Sequence, residues 1–266
     1  MNHINLKIPE HSYFFGFAQT DGNLDKLSRN RGHLAIEIKE KDRNILESFQ
    51  KLFPLVHSSI RIRIRDTNFK KNHKSCTLTI CDKRFRDEIN KLGIPYGKKS
   101  EIVVPPLVEF CEKDYIRGIT DGDGSIGMRL GEYPFVSLTV KSERIKDYFI
   151  GAIEKITGEK KKLKRNKRDD IYNIMLNREK AQQFIRYLYY PGCLALKRKL
   201  KKAREVLKWK RPRFLKIIFR NEWHKWEDKY LLGHTTEESK DFLKRTRRSI
   251  KMRLWHLKQA TLLNRL

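Results

Sequence analysis

Hydrophobic and polar positions run through the same order twice along the chain. Residues 12–22, Ser12-Tyr13-Phe14-Phe15-Gly16-Phe17-Ala18-Gln19-Thr20-Asp21-Gly22, lie over residues 114–124, Asp114-Tyr115-Ile116-Arg117-Gly118-Ile119-Thr120-Asp121-Gly122-Asp123-Gly124, at one offset of 102 residues (123 − 21). Tyr, Gly, Asp and Gly coincide in the two copies. The same offset superposes Leu34, Ile36 and Ile38 on Val136, Leu138 and Val140, the alternating apolar positions of a strand. Each copy opens on a helix-start residue, Ser12 or Asp114, and closes on a glycine able to take a left-handed cap, Gly22 or Gly124, which predicts a short helix. Alternation then predicts strand pairs over 23–38 and 125–140 and helices over 42–53 and 143–156. Two more strands and a helix follow in each half, at 59–65, 75–81 and 83–92, and at 160–165, 171–177 and 179–189.

Hairpin-linked strands with helices kept apart make an α+β half built twice, that is, two pseudo-symmetric αββαββα repeats. Val103-Val104-Pro105-Pro106 marks the junction, since consecutive prolines interrupt regular structure. The repeats therefore span 1–106 and 107–208, and 209–266 form a small C-terminal helical module. In that module Trp223, Trp226 and Leu231-Leu232 make an apolar stripe, and Thr235 to Glu238 reads as a capping box. Thr246 caps a last helix with Ile250, Leu254 and Leu257 inward and Arg247, Arg248, Lys251 and Arg253 outward.

The two repeated helices carry the chemistry. Gly16 with Thr20, and Gly118 with Gly122, place small residues four apart on one face, so the two backbones can approach closely. Packed in parallel, they bring Asp21 and Asp123 together at helix C-termini, where the dipole and the like charge both disfavour a carboxylate. A bound divalent cation reverses that cost, and Mg²⁺ (or Mn²⁺) accepts such carboxylates alongside phosphate oxygens and waters. Taken singly, each Asp-Gly is also a plain turn; repetition of the whole block favours the paired reading.

Charge narrows the partner. Lys plus Arg number 60 against 32 Asp plus Glu, a formal net charge of +28 in 266 residues. That excess is spread along the chain, which points to nucleic acid rather than a membrane surface. Four cysteines without a Cys-x-x-Cys pair, and a start lacking the layout of a signal peptide, lead to the expectation of an intracellular, non-secreted protein. No apolar run reaches the roughly 18 residues of a membrane helix.

Phe14 to Gly22 and Ile116 to Gly124 each resemble the nine-residue motif of the LAGLIDADG homing endonucleases in their single-chain, two-motif form. The resemblance extends over about residues 12–208. It implies a monomer whose two sheets form a saddle over double-stranded DNA, with Asp21 and Asp123 holding the catalytic metal, and a site-specific double-strand break as the product. It also implies a catalytic basic residue near the end of each half, which local pattern places at Lys99 and Lys197, and it makes Glu40 and Ser142 candidates for holding water. Gln19 stands where the motif has its earlier acidic residue, while Asp121 keeps it. An intron RNA-splicing maturase and a cleavage-inactive DNA-binding regulator are the alternatives on the same fold. The tail is loosely similar to Myb/SANT-type and related helix-turn-helix domains, with a basic helical tail as the plainer reading.

Ser59-Ile60-Arg61-Ile62-Arg63-Ile64-Arg65 alternates with period two, so isoleucines face a core while Arg61, Arg63 and Arg65 face outward, suited to bases and phosphates. Lys160, Lys162 and Lys164 repeat that arrangement in the second half. Two rival motifs fail on context. Gly122 to Gly127 fits a dinucleotide fingerprint, which requires a preceding strand and a following helix. Asp121, Asp123, Ser125 and Glu132 fit calcium-loop spacing, but Ile126 occupies the obligatory glycine position. His73, Cys76 and Cys81 lack the paired spacing of a zinc site.

Overall fold

The computed structural model describes residues 3–27, 31–67, 70–212 and 223–263, so residues 213–222 and 264–266 of the expected C-terminal module lie outside the described residues. Two compact units are present, Met1–Arg211 and Pro212–Leu266. The two repeats thus form one unit, and the second unit begins slightly later than 209.

At the centre of the first unit lie two helices without a solvent face. α1 (Pro9–Asp21) buries Ser12 through Gln19, and α4 (Glu112–Gly122) buries Asp114 through Asp121. Helices buried on every side belong in an interior. They meet on the small residues: a Cβ on Gly16 would strike the carbonyl of Tyr115, and one on Gly118 the carbonyl of Tyr13. The bulk of the first motif is absorbed by an aromatic cluster, in which Phe14 packs edge-on against Phe49 at 5.0 Å and Phe53 at 4.9 Å.

Both helices start earlier than expected, because Ser12 and Asp114 are buried tethers and not caps. Ser12 Oγ donates to Leu6 O at 2.5 Å and accepts from the Cys111 N–H at 3.0 Å. Asp114 accepts from Arg117 at 2.5 Å and from the Tyr190 hydroxyl at 2.7 Å. The closing glycines also differ from expectation. Gly22 is extended (φ −81°, ψ 152°), and it and Gly124 open strands. Space is what they supply, since a Cβ at either would lie 2.5 Å from the Ala18 or Thr120 carbonyl oxygen.

The first sheet has four antiparallel strands in the order β1-β2-β4-β3: β1 (Gly22–Leu24), β2 (Leu34–Lys39), β3 (Ser58–Thr67) and β4 (Lys70–Ile80). Helices α2 (Arg43–Leu52), entered through a 3-10 turn at Glu40–Asp42, and α3 (Lys83–Leu92) complete that repeat. The second sheet has three strands in the order β5-β6-β7: β5 (Gly124–Arg129), β6 (Tyr133–Val140) and β7 (Tyr172–Asn177). Its helices are α5 (Glu143–Thr157) and α6 (Arg178–Leu188).

Register shows where the repeats part. Gly22 faces Ile36 and Gly124 faces Leu138, both at the 102-residue offset. Ile36 then faces Leu78 while Leu138 faces Ile174, an offset of only 96 (174 − 78). The missing residues belong to the outer hairpin. The expected strand over 160–165 does not form, and only a bridge between Asn166 and Ile171 remains. Lys160, Lys162 and Lys164 are exposed but lie on no strand. In Lys160-Lys161-Lys162-Leu163-Lys164-Arg165 only Leu163 packs on the core, and five cations in six residues give a ladder little to bury.

The alternation of β3 is correct in phase but not in burial. Ile60 packs on the core, whereas Ile62 and Ile64 are 47% and 58% exposed, because the hairpin runs out past the body that would cover them. Helix α7 (Lys197–Lys208), which the sequence pattern does not predict, turns Lys199, Ala203 and Val206 inward.

The second unit holds α8 (Lys225–Gly233), α9 (Thr236–Leu243) and α10 (Arg247–Leu263). The capping box at Thr235 and Glu238 is present. Three residues, with Lys244 left-handed at φ 51°, join α9 to α10, and Thr246 Oγ1 accepts from the Ser249 N–H. Its interior is partly ionic. Leu231 and Ile250 are buried, Glu227 grips Arg245 through two bonds of 2.7 and 2.9 Å, and Asp228 grips Arg253 through two of 2.6 Å. Arg253 therefore turns inward, toward Asp228 and the Trp223 ring 5.8 Å away, and is not one of the outward cations. Trp226 and Leu232 are exposed, so the expected stripe narrows to the half-buried Trp223 and to Leu231.

Candidate active site

Asp21 ends α1 and Asp123 caps α4. A Cβ on Gly122 would lie 3.3 Å from Asp21 Oδ2, so the α1 carboxylate rests against the peptide next to Asp123. Burial, and then the charge of Asp123, push Asp21 up to about 6. Burial likewise raises Asp123 above the usual carboxylate range, while Lys99 and Lys199 pull it the other way. Among the described residues no donor is hydrogen-bonded to either carboxylate. Asp21 is half-buried and Asp123 exposed, and two adjoining, mutually repelling carboxylates without a hydrogen-bond donor among the described residues fit a hard divalent cation. Among the described residues no group of three or more His, Cys, Asp and Glu gathers around one point.

Each helix end is also met by a lysine. Lys99 Nζ donates to Ala18 O at 2.9 Å. Lys199 Nζ donates to Thr120 O at 2.7 Å, Asp121 O at 2.5 Å and Gly124 O at 2.8 Å. Ala18 and Thr120 are 102 residues apart (120 − 18), so the two ammonium groups occupy equivalent places. Burial lowers both lysines to about 8. Lys197, expected in this role, is exposed at the start of α7. The spacing Lys199, Ala203, Val206 is the helical inward face, and it is the signal that separates Lys199 from its basic neighbours.

The position two before each aspartate anchors the segment that delivers its lysine. Gln19 donates to Gly93 O at 3.1 Å and Val104 O at 2.9 Å, on either side of Lys99. Asp121, fully buried, accepts from the Leu196 N–H at 2.8 Å, at the very start of α7. Across the helix pair Tyr115 donates to Gln19 at 2.6 Å and Tyr13 to Asp121 at 2.7 Å. An amide and a carboxylate thus serve the same structural end.

A cleft adjoins each aspartate. The Asp123 cleft, about 270 Å³, is lined by Lys99, Ser100, Thr139, Lys141 and Ser142 among others. The Ser142 hydroxyl is committed to structure, accepting from the Ile145 N–H and donating to Val103 O at 2.6 Å. The Asp21 cleft, about 360 Å³, is lined by Asp42, Arg65, His73, Ser75 and Arg198. Glu40 is not among its lining residues; Asp42, which sequence reasoning missed, is.

Arg61, Arg63 and Arg65 share a sheet face with their partners Thr77, Ser75 and His73 on β4, and that face runs into the Asp21 cleft. The matching face of the second sheet is mostly uncharged. Ser137 and Thr139 on β6 stand beside Met175 and Asn173 on β7, and Asn177 follows beside Phe135.

No family model and no curated protein sequence matches the chain. Solved structures do. The homing endonuclease I-WcaI bound to its DNA recognition sequence superposes with a TM-score of 0.51 at 17% identity, covering 74% of this chain and 87% of that one. Variants of the homing endonuclease I-DmoI match with a TM-score of 0.49 at 14% identity, over 74% of this chain and 97% of theirs. The N-terminal LAGLIDADG domain of DUF199/WhiA matches with a TM-score of 0.45 at 15% identity, over 76% and 90%. The chain has the mixed α+β, two-repeat LAGLIDADG fold.

Proposed function

We propose that this protein cuts double-stranded DNA at a long, defined site, hydrolysing one phosphodiester bond in each strand with Mg²⁺ or Mn²⁺ as cofactor. The observation that carries the proposal is the Asp21–Asp123 pair at adjoining helix ends, without donors among the described residues and flanked by two clefts, one lined by Lys99 and the other by Arg198. The cation would neutralise charge at the scissile phosphates and make water a competent nucleophile. Asp21 and Asp123 would hold it there, and it would relieve their mutual repulsion. Lys99 has one carbonyl acceptor among the described residues, which leaves two N–H groups to orient a phosphate oxygen or water in the Asp123 cleft. The sheet faces hold the duplex, with Arg61, Arg63 and Arg65 against bases and phosphates. Both halves lie in one chain, so a monomer suffices. That I-WcaI was solved on DNA in this fold supports duplex DNA as the ligand. Arg247, Arg248 and Lys251 on α10 add a cationic helix that extends the DNA contact.

Cleavage of a randomised duplex library in Mg²⁺ and in EDTA, with sequencing of the ends, tests this. Discrete metal-dependent cuts at one long site are expected. Asp21→Asn or Asp123→Asn should lower the rate by about 1,000-fold or more while DNA affinity changes only a few-fold. Tight DNA binding without cuts would overturn the enzyme reading and leave a DNA-binding protein. Preference for structured intron RNA over DNA would leave a maturase.

A further inference from the structure

The two clefts are not equally built. Asp42, with a side chain only 7% exposed, holds Arg198 Nε at 2.8 Å, and both residues line the cleft that contains Asp21. Engaged through Nε, the guanidinium keeps the fork of its two Nη groups for another ligand, the geometry that binds two oxygens of one phosphate. Two further polar side chains line the same cleft. Ser75 Oγ, on a residue 2% exposed, and His73 Nδ1 are both buried without a partner among the described residues. Buried polar atoms in folded proteins are paired, so these two suit a water or a ligand oxygen.

The Asp123 cleft lacks each of these features. The N-cap that corresponds to Asp42 is Ser142, whose hydroxyl is spent on Val103 O and the Ile145 N–H. The residue before Lys99, in the place that Arg198 holds before Lys199, is Lys98, which is exposed and does not line the cleft. Lys141 does line it, but as a half-exposed side chain near Glu101 at 3.7 Å.

Resting on the nuclease reading, we infer that Arg198, positioned by Asp42 and joined by Ser75 and His73, is a phosphate clamp present in the Asp21 cleft alone, and that the two DNA strands are consequently cut in a fixed order. The strand whose phosphate enters the Asp21 cleft is held in line before the other and is cut first.

The test uses the full chain and a supercoiled plasmid carrying a site recovered from the randomised library. Nicked circles should accumulate ahead of linear product, with the nick always on one strand. Arg198→Ala should slow that strand by about 100-fold, the scale of removing one fixed donor at a developing charge, and the other strand by less than about 3-fold. Arg198→Lys should recover only part, and Asp42→Asn should give a smaller loss confined to the same strand. A second readout needs no metal. In EDTA, one methylphosphonate at the first-cut phosphate should weaken wild-type binding more than one at the other phosphate, and Arg198→Ala should erase that difference. Equal slowing of both strands, or random first nicks, would overturn the inference and leave the nuclease intact. Absence of any cut would remove the nuclease reading and the inference together.

Discussion

The two repeats place an aspartate and a lysine at the same points of the fold but support them by different means. In the first, Gln19 pins a loop and Lys99 reaches one helix carbonyl. In the second, a buried carboxylate, Asp121, pins the start of a helix, and Lys199 is saturated by three short bonds to carbonyls. Lysine has three N–H donors. Lys199 has spent all of them on holding the end of α4 together, whereas Lys99 has not. One half has turned its lysine into a cap, and the other leaves its lysine with a single acceptor among the described residues.

Breaking each lysine should therefore break different things, and this is the largest contrast. Lys199→Met leaves three buried carbonyls without their cation and should cost on the order of 3 kcal/mol. At roughly 2–4 °C per kcal/mol for a unit of this size, the melting temperature should fall by about 6–12 °C. Lys99→Met should shift it by less than about 3 °C yet lower cleavage by about 100-fold. Calorimetry and single-turnover rates on both variants check this. Equal melting temperatures with equal loss of activity would make the two lysines interchangeable and remove the distinction.

Legibility follows the same divide. The repeat, its α+β class and the Asp21–Asp123 pair could be read from sequence because the helix blocks share one offset and their small residues fix how they pack. Past β6 the offset fails, because the second repeat lost part of its outer hairpin, and with it the expected strand carrying Lys160, Lys162 and Lys164. Local pattern stopped at Lys197, two residues short of Lys199, because adjacent cations are told apart only by the inward spacing of Lys199, Ala203 and Val206 on a helix the pattern did not predict. Asp42 and Arg198 were invisible, since 156 residues separate them and neither belongs to a local pattern.

A smaller effect distinguishes the aspartates by pH. Asp21 has a folded value of about 6, raised by burial and by Asp123, so the folded protein binds its proton more tightly than the unfolded chain does. That contribution to stability is complete below about pH 4 and is lost as pH rises through about 6. In EDTA, Asp21→Asn should then match wild type near pH 4 and melt about 2–6 °C higher at pH 7. Lys99 and Lys199, lowered to about 8, carry the opposite sign, and their contribution grows as pH rises from about 8 toward their unfolded value. A wild-type curve parallel to that of Asp21→Asn from pH 4 to 7 would mean that the carboxylates do not burden the metal-free fold.

The gentlest contrast lies in the sheet faces and sharpens the comparison without disabling anything. Arg61, Arg63 and Arg65 line the first, and arginine pairs bidentately with guanine O6 and N7. The second presents Asn173 and Asn177 with Ser137 and Thr139, and asparagine pairs with adenine N6 and N7 while small polar side chains tolerate either base. One half-site selected from the randomised library should accordingly be richer in G·C and the other in A·T. Arg63→Ala should relax preference at a single base pair of the G·C-rich half, weakening binding by about 10-fold or more, while Asn173→Ala relaxes one in the other half. Because charge dominates the first face and hydrogen-bond shape the second, raising salt should weaken wild type more steeply than it weakens Arg63→Ala, yet leave the slope of Asn173→Ala unchanged. Equal salt slopes for all three proteins would show that Arg63 touches no phosphate and reads bases alone.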